Sequence, residues 1–232
     1  PMLTSKGLPS LLRTEQAMLD QADREVAGID VVKSAVGDGK LTATVAVNNL
    51  VGHKFPSGVG FRRAFIEFQV LDRLGQTLWA SGRTNGAGVI VDDKGQPIAG
   101  ELWWEDDCSA RVSPSDPQFQ PHYQMVTAQN QAQIYQELVT SPAPVEAPQC
   151  GTTPTPGGDL TTSFLSICGN VKDSRLLPDG FLPLEERIAL AKSIGANAQL
   201  AEESGAHFVG DDPHYKGGKG SKGGDALDYV IP

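Results

Sequence analysis

From Ile29 onward, apolar and polar positions alternate along the chain with a period of two. Ile29–Val36 and Leu41–Val47 flank the turn Gly37-Asp38-Gly39-Lys40, and Leu41, Ala43, Val45 and Val47 alternate with Thr42, Thr44 and Ala46. That pattern predicts a hairpin with one apolar face. Ahead of it the period differs. Leu11, Leu12, Ala17, Met18, Leu19, Ala22 and Val26 recur near every 3.6 residues. A helix over Leu8–Val26 is expected, with Pro9 and Ser10 at its start.

Two more hairpin signals follow. Ala64–Leu71 and Thr77–Ala80 bracket Asp72-Arg73-Leu74-Gly75-Gln76, and Val89–Val91 and Pro97–Ala99 bracket Asp92-Asp93-Lys94-Gly95-Gln96. Gln131–Val139 reads as a strand from its β-branched and aromatic content, whereas Thr161–Asp173 fits a helix or a strand. Leu184–Ile194 has helical spacing, with Pro183 before its first turn. Short strands punctuated by turn residues predict a mainly β fold, an antiparallel sandwich of immunoglobulin-like shape. The organisation expected is a helical tether over residues 1–27 to an upstream or partner domain, then a β domain over 28–232. That domain carries a Pro/Thr/Gly-rich insertion at 141–158, an irregular Gly-rich tail at 210–224 and a last strand at Leu227–Ile231.

Composition sharpens this reading in a few places. Among 232 residues, 26 Gly and 16 Pro favour a loop-rich β protein over a helical bundle. A net charge of -9 offers no basic stripe for a nucleic-acid backbone. No run of about 18 apolar residues is long enough for a transmembrane helix. The opening Pro1–Lys6 lacks the charged and apolar regions of a signal peptide, so a processed or truncated chain is expected.

The chemistry-bearing residues are few. Cys150 and Cys168 bracket a Thr/Pro/Gly-rich loop between two strand-like segments and form the natural disulfide pair, worth roughly 3 kcal/mol by chain entropy; two unpaired thiols are the alternative. A disulfide would place the chain in an oxidising compartment. The four histidines, His53, His122, His207 and His214, lack the i, i+4 spacing of a helical zinc pair. No nucleophile elbow or phosphate loop occurs, and no spacing assembles an acid–base pair, so the chain reads as non-catalytic. His53 sits in a loop bracketed by Gly52, Pro56 and Gly58, a rigid setting suited to a metal or haem ligand. A loop imidazole bound only to backbone is the plainer reading. His122, in a Pro-flanked stretch, reads on its own as a surface-loop residue. Arg62 and Arg63 suit a strand-start ion pair with acidic neighbours. The acidic runs Asp92-Asp93, Glu105–Asp107 and Asp211-Asp212 could hold calcium, but no EF-hand spacing supports it, and exposed turn carboxylates explain them as well. Trp79 is expected in the core; Trp103 and Trp104 could form an aromatic binding surface.

Asn48-Asn49-Leu50-Val51-Gly52-His53-Lys54-Phe55-Pro56-Ser57-Gly58, followed by Arg62-Arg63-Ala64-Phe65, resembles the C-terminal, non-haem β-domain of a group of multihaem c-type cytochromes. Those proteins carry a Gly-His-Lys-(Leu/Phe)-Pro-(Thr/Ser)-Gly loop before a paired-arginine strand. Asp72–Gly75, Ala80–Gly82, Gln120–Tyr123, Gln133–Glu137, Val171–Phe181 and Asp212–Tyr215 continue the likeness in the same order, so it spans about residues 40–232. The resemblance implies an extracytoplasmic accessory domain (periplasmic, cell-surface or secreted) of an electron-transfer assembly, itself part of a larger or filamentous complex. In it the domain packs against haem c held by another segment or chain, either supplying an axial histidine, His53 or His122, with Arg62 and Arg63 at haem propionates, or only capping and insulating the haems. The chain departs from the family in having no Cys-x-x-Cys-His motif. The alternative expectation is a secreted immunoglobulin-like module binding a glycan or protein.

Overall fold

The computed structural model describes residues 10–58, 62–101, 119–140, 160–161, 169–218 and 221–232. Cys108, Cys150 and Cys168, the Trp103-Trp104 pair, Glu105–Asp107 and the 141–158 insertion lie outside these residues, and so does the proposed disulfide. The described part is mainly strands in several sheets, with α-helices at Ser10–Arg24 (α1), Leu184–Ser193 (α2) and Ala198–Glu203 (α3). None of them is long and apolar enough to cross a membrane.

The principal sheet joins β1 (Ala27–Gly37), β2 (Lys40–Asn49), β12 (Gly224–Ile231) and β8 (Met125–Val126) in the order β1-β2-β12-β8. Every contact is antiparallel except β12 with β8. A second sheet centres on β9 (Ile134–Thr140), flanked by β10 (Leu160–Thr161) and β11 (Gly169–Asp173), with β3 (Arg63–Phe65) also pairing β9. Two short ribbons complete the set: β4 (Phe68–Leu71) with β5 (Thr77–Ser81), and β6 (Arg83–Thr84) with β7 (Ile90–Val91).

Period-two alternation builds the core. Ala43, Val45 and Val47 of β2 and Leu227, Tyr229 and Ile231 of β12 share one face and pack with Ile66, Trp79, Tyr135 and Leu176. Tyr229 stacks on Phe68 at 4.1 Å between centroids, and Trp79 meets both rings edge-on. Trp79 thus lies in the core as its sequence context suggests. The same alternation carries one more residue inward, Asp225, which is 4% exposed. The last strand therefore begins earlier than its apolar residues indicate.

Two turns share one device. In Asp72–Gln76 and Asp92–Gln96 the aspartate Oδ1 accepts backbone N–H groups two and four residues on. Gly75 and Gly95 take the positive φ each turn requires. Asp92 is thus occupied with its own turn. The expected strand Ala64–Leu71 is divided: Arg63–Phe65 pairs β9, while Phe68–Leu71 pairs β5. At the break, Gly82 (φ 72) approaches so closely that a Cβ there would lie 2.1 Å from the Ile66 carbonyl. The uncertain stretch Thr161–Asp173 ends in strand, β11; its residues 162–168 lie outside the description.

Candidate functional site

His53 lies in the loop leaving β2, and that loop is tied down from three sides. Asn49, buried at the strand end, donates through Nδ2 to the carbonyls of His53 (2.8 Å) and Leu176 (3.1 Å), while its Oδ1 accepts from Val51 N. Phe55 and Leu176 exchange backbone hydrogen bonds of 3.0 and 2.8 Å. Lys54 turns inward, its Nζ 2.6 Å from both Asp173 Oδ2 and the Gly205 carbonyl. Lys54 is held inward, whereas His53 is exposed to solvent.

In the neutral His53 ring the tautomer follows from the hydrogen-bond partner. Nδ1 is 3.0 Å from the Lys54 carbonyl oxygen. A carbonyl only accepts, so Nδ1 carries the proton and Nε2 keeps its lone pair, directed away from the backbone. A metal-ligating histidine needs this arrangement: one nitrogen anchored as a donor, the other open.

His122 has the opposite arrangement. Its side chain is 1% exposed, which corrects the expectation of a surface-loop residue. Gln133 Oε1 accepts from Tyr123 N at 2.8 Å, so the Gln133 amide nitrogen faces inward, 2.7 Å from His122 Nδ1 and 3.1 Å from Asp225 Oδ2. Nδ1 must then accept, and Nε2 carries the proton toward Asp212 Oδ2 at 2.7 Å. Neither nitrogen has a lone pair to spare. Ligand atoms of His122, Asp212 and Asp225 all lie within 4.8 Å of one another, a spacing a metal ion could use. The hydrogen-bond polarity is that of a proton-linked network instead, because a metal would need Gln133 turned over and Tyr123 N deprived of its acceptor.

The Asp211-Asp212 run is likewise not a pair of exposed turn carboxylates. Asp212 is buried and caps a short 3-10 turn, Pro213–Tyr215, accepting from the backbone N and Nδ1 of His214, each at 2.8 Å. Burial alone would push this carboxyl up; the bonds from His122 and His214 outweigh it and bring it to about 2. Asp225, which accepts from Tyr135 OH at 2.9 Å, is pushed up, chiefly by burial.

The two arginines have different roles. Arg63 forms a forked ion pair with Glu101, Nη2 to Oε2 at 2.9 Å, and that carboxylate also accepts from Ile90 N. The strand-start ion pair is therefore what Arg63 makes. Arg62 stays exposed, with Nη1 3.3 Å from the Ser57 carbonyl of the His53 loop.

β11 supplies two buried charges that no motif in the sequence marks. Asp173 gathers Lys54 and Arg175, and Arg175 also reaches Glu137 at 3.1 Å. Lys172 is fully buried and donates only to the carbonyls of Gln120 (2.8 Å) and Ile134 (3.2 Å). With no carboxylate in reach among the described residues, burial brings its ammonium down from 10.5 to about 7. Between those values the unfolded chain holds a proton that the folded chain has released, so stability rises with pH across that window. Lys172→Met, which removes the titrating amine, is expected to flatten that rise. Denaturant titrations at several pH values check this; an unchanged pH dependence would show the amine keeps its proton.

No protein-family model, curated protein or solved structure matches the chain.

Proposed function

We propose that this chain is a non-catalytic accessory domain of an extracytoplasmic multihaem electron-transfer assembly. In this reading it packs against haem held by another segment or chain and presents His53 Nε2 as an axial ligand. The β elements form an immunoglobulin-like sandwich, a reading supported by the cluster that joins the inner faces of β2 and β12 to Trp79 of β5 and Tyr135 of β9. One observation carries the functional proposal: the hydrogen bond from His53 Nδ1 to the Lys54 carbonyl, which leaves an exposed Nε2 lone pair on a loop pinned by Asn49, Phe55 and Lys54.

The surroundings are compatible. Leu50 N donates to the Val26 carbonyl at 3.1 Å, so the His53 loop leaves the sheet beside the junction of α1 and β1. No residue of α1 is buried, and Leu11, Leu12, Met18 and Leu19 are exposed on it. A 15-residue helix is marginal in water on its own, and covering its apolar side with a haem-bearing segment would stabilise it. Exposed Arg62 could meet a propionate, whereas Arg63 is already neutralised by Glu101. Haem would supply one-electron transfer. The residues of this chain fix the imidazole, hold its tautomer and shield one side from water.

The experiment is the visible spectrum and haem content of the natively purified assembly. Haem c with a low-spin spectrum is expected. A native assembly without haem would overturn the proposal and favour the secreted binding module.

A further inference from the structure

Strand β1 pairs with β2 alone; its other edge has no partner among the described residues. It is long for an edge strand, 11 residues, and exposed along nearly its whole length. Long free edges are pairing hazards, and proteins usually shorten, twist or charge them. Here the charges are arranged to fit a copy of themselves.

The register with β2 places Asp30 opposite Ala46, Val31 opposite Val45 and Lys33 opposite Thr44, with Val32 left out as a bulge. Residues three apart in a regular strand point to opposite faces. The bulge cancels that, so Asp30 and Lys33 share the face of Ala46 and Thr44, one ladder step on either side of Val31. A twofold axis through Val31, normal to the sheet, therefore sets Asp30 against Lys33 of a second copy and Lys33 against its Asp30. The same axis sets Val31 beside Val31, Ile29 beside Ser34 and Ala27 beside Val36. Neither Asp30 nor Lys33 has an ion-pair partner among the described residues.

The apolar side agrees. Ile29 and Val31 lie on the face of Val45 and Val47, which is core, yet they are 58% exposed. Val36 on the same face is 83% exposed. The core thus runs out toward the free edge without cover, and an antiparallel copy would continue it symmetrically.

We propose that β1 pairs antiparallel with β1 of a second copy of this chain about a twofold axis at Val31, joining two four-stranded sheets into one of eight strands. The interface is isologous, and each Asp30–Lys33 set is used twice. It uses the strand edge and leaves the His53 loop free, so it stands or falls independently of haem ligation.

Sedimentation equilibrium of the whole chain tests this. A concentration-dependent dimer is expected for the wild type. Asp30→Lys and Lys33→Asp, each placing like charges opposite one another, should each raise the dimer dissociation constant about tenfold or more. The double swap Asp30→Lys/Lys33→Asp should restore it to near the wild-type value. Circular dichroism confirms that each variant is folded. A wild-type chain that stays monomeric at all concentrations, or a folded double swap that dimerises no better than the single variants, would overturn the proposal.

Discussion

Asp173→Ala is expected to lower the stability of the fold by about 3–5 kcal/mol, the loss typical when one member of a buried ionic network is removed. The carboxylate is 1% exposed and accepts from Lys54 at 2.6 Å and from Arg175 at 2.7 and 2.8 Å. Burial by itself pushes the Asp173 carboxyl up; Arg175 and Lys54 more than offset that and hold it below its ordinary value. Without it, Lys54 and Arg175 remain in a largely enclosed region with only Glu137 and the Gly205 carbonyl to offset them. Lys54, already lowered by burial, loses the partner that chiefly supports its charge.

The sign of the pH dependence follows from the lowered carboxyl. Its contribution is present above the ordinary carboxylate value of 3.8 and is lost as pH falls below it. The difference between wild type and Asp173→Ala in urea denaturation should therefore shrink in acid. A loss below about 1 kcal/mol at neutral pH, or a difference independent of pH, would mean that water solvates the cluster and the ion pairs contribute little. The consequence also reaches the loop: with Lys54 released, one of the bonds that pin the His53 loop is gone, so this variant should perturb any function of His53 at a distance.

How much of this was legible in the chain can be argued residue by residue. The β1–β2 hairpin was, because period-two alternation bounded by Gly37 and Gly39 leaves little else; the structure extends it only to Ala27–Gly37 and Lys40–Asn49. Leu184–Ser193 and Ser10–Arg24 were legible from helical spacing. The division of Ala64–Leu71 was not, because a close backbone approach at Gly82 decides it, eighteen residues from where that strand was expected to begin. The expected pairing of Val89–Val91 with Pro97–Ala99 is reduced to the bridge between Val91 and Pro97, and β6 takes the ladder. Helix α3, with Asn197 accepting from Gln199 N, is too short to leave a periodic signature.

The site divides the same way. His53 was readable as a presented imidazole because its own loop carries the bracketing residues. What separates it from His122 was not readable: the orientation of Gln133, set by Tyr123 N, fixes the tautomer of His122. That contact crosses ten residues of chain, and the partners Asp212 and Asp225 come from far downstream. One signal was available for Asp225. In Asp225-Ala226-Leu227-Asp228-Tyr229-Val230-Ile231 it falls on the inward parity of Leu227, Tyr229 and Ile231, and a carboxylate on that parity marks a buried polar network. Lys172 gave no comparable sign, because a lysine in a strand next to Asp173 reads as an exposed ion pair.

If the chain belongs to a haem assembly as proposed, His53→Ala is expected to abolish low-spin ligation at one haem, while His122→Ala leaves the haem spectrum unchanged and costs only stability. The reason is the contrast in proton placement. His53 Nε2 is open because Nδ1–H is held by the Lys54 carbonyl, whereas both nitrogens of His122 are committed to Gln133 and Asp212. Removing an axial imidazole from a low-spin haem leaves a five-coordinate or water-ligated iron, and the axial ligand is a principal control of haem chemistry. Low-temperature electron paramagnetic resonance of the oxidised assembly, with and without added imidazole, is the most direct reading. The account predicts that His53→Ala converts one haem to a high-spin signal and that free imidazole restores the low-spin one. A spectrum unchanged in His53→Ala, or a conversion seen in His122→Ala instead, would contradict it.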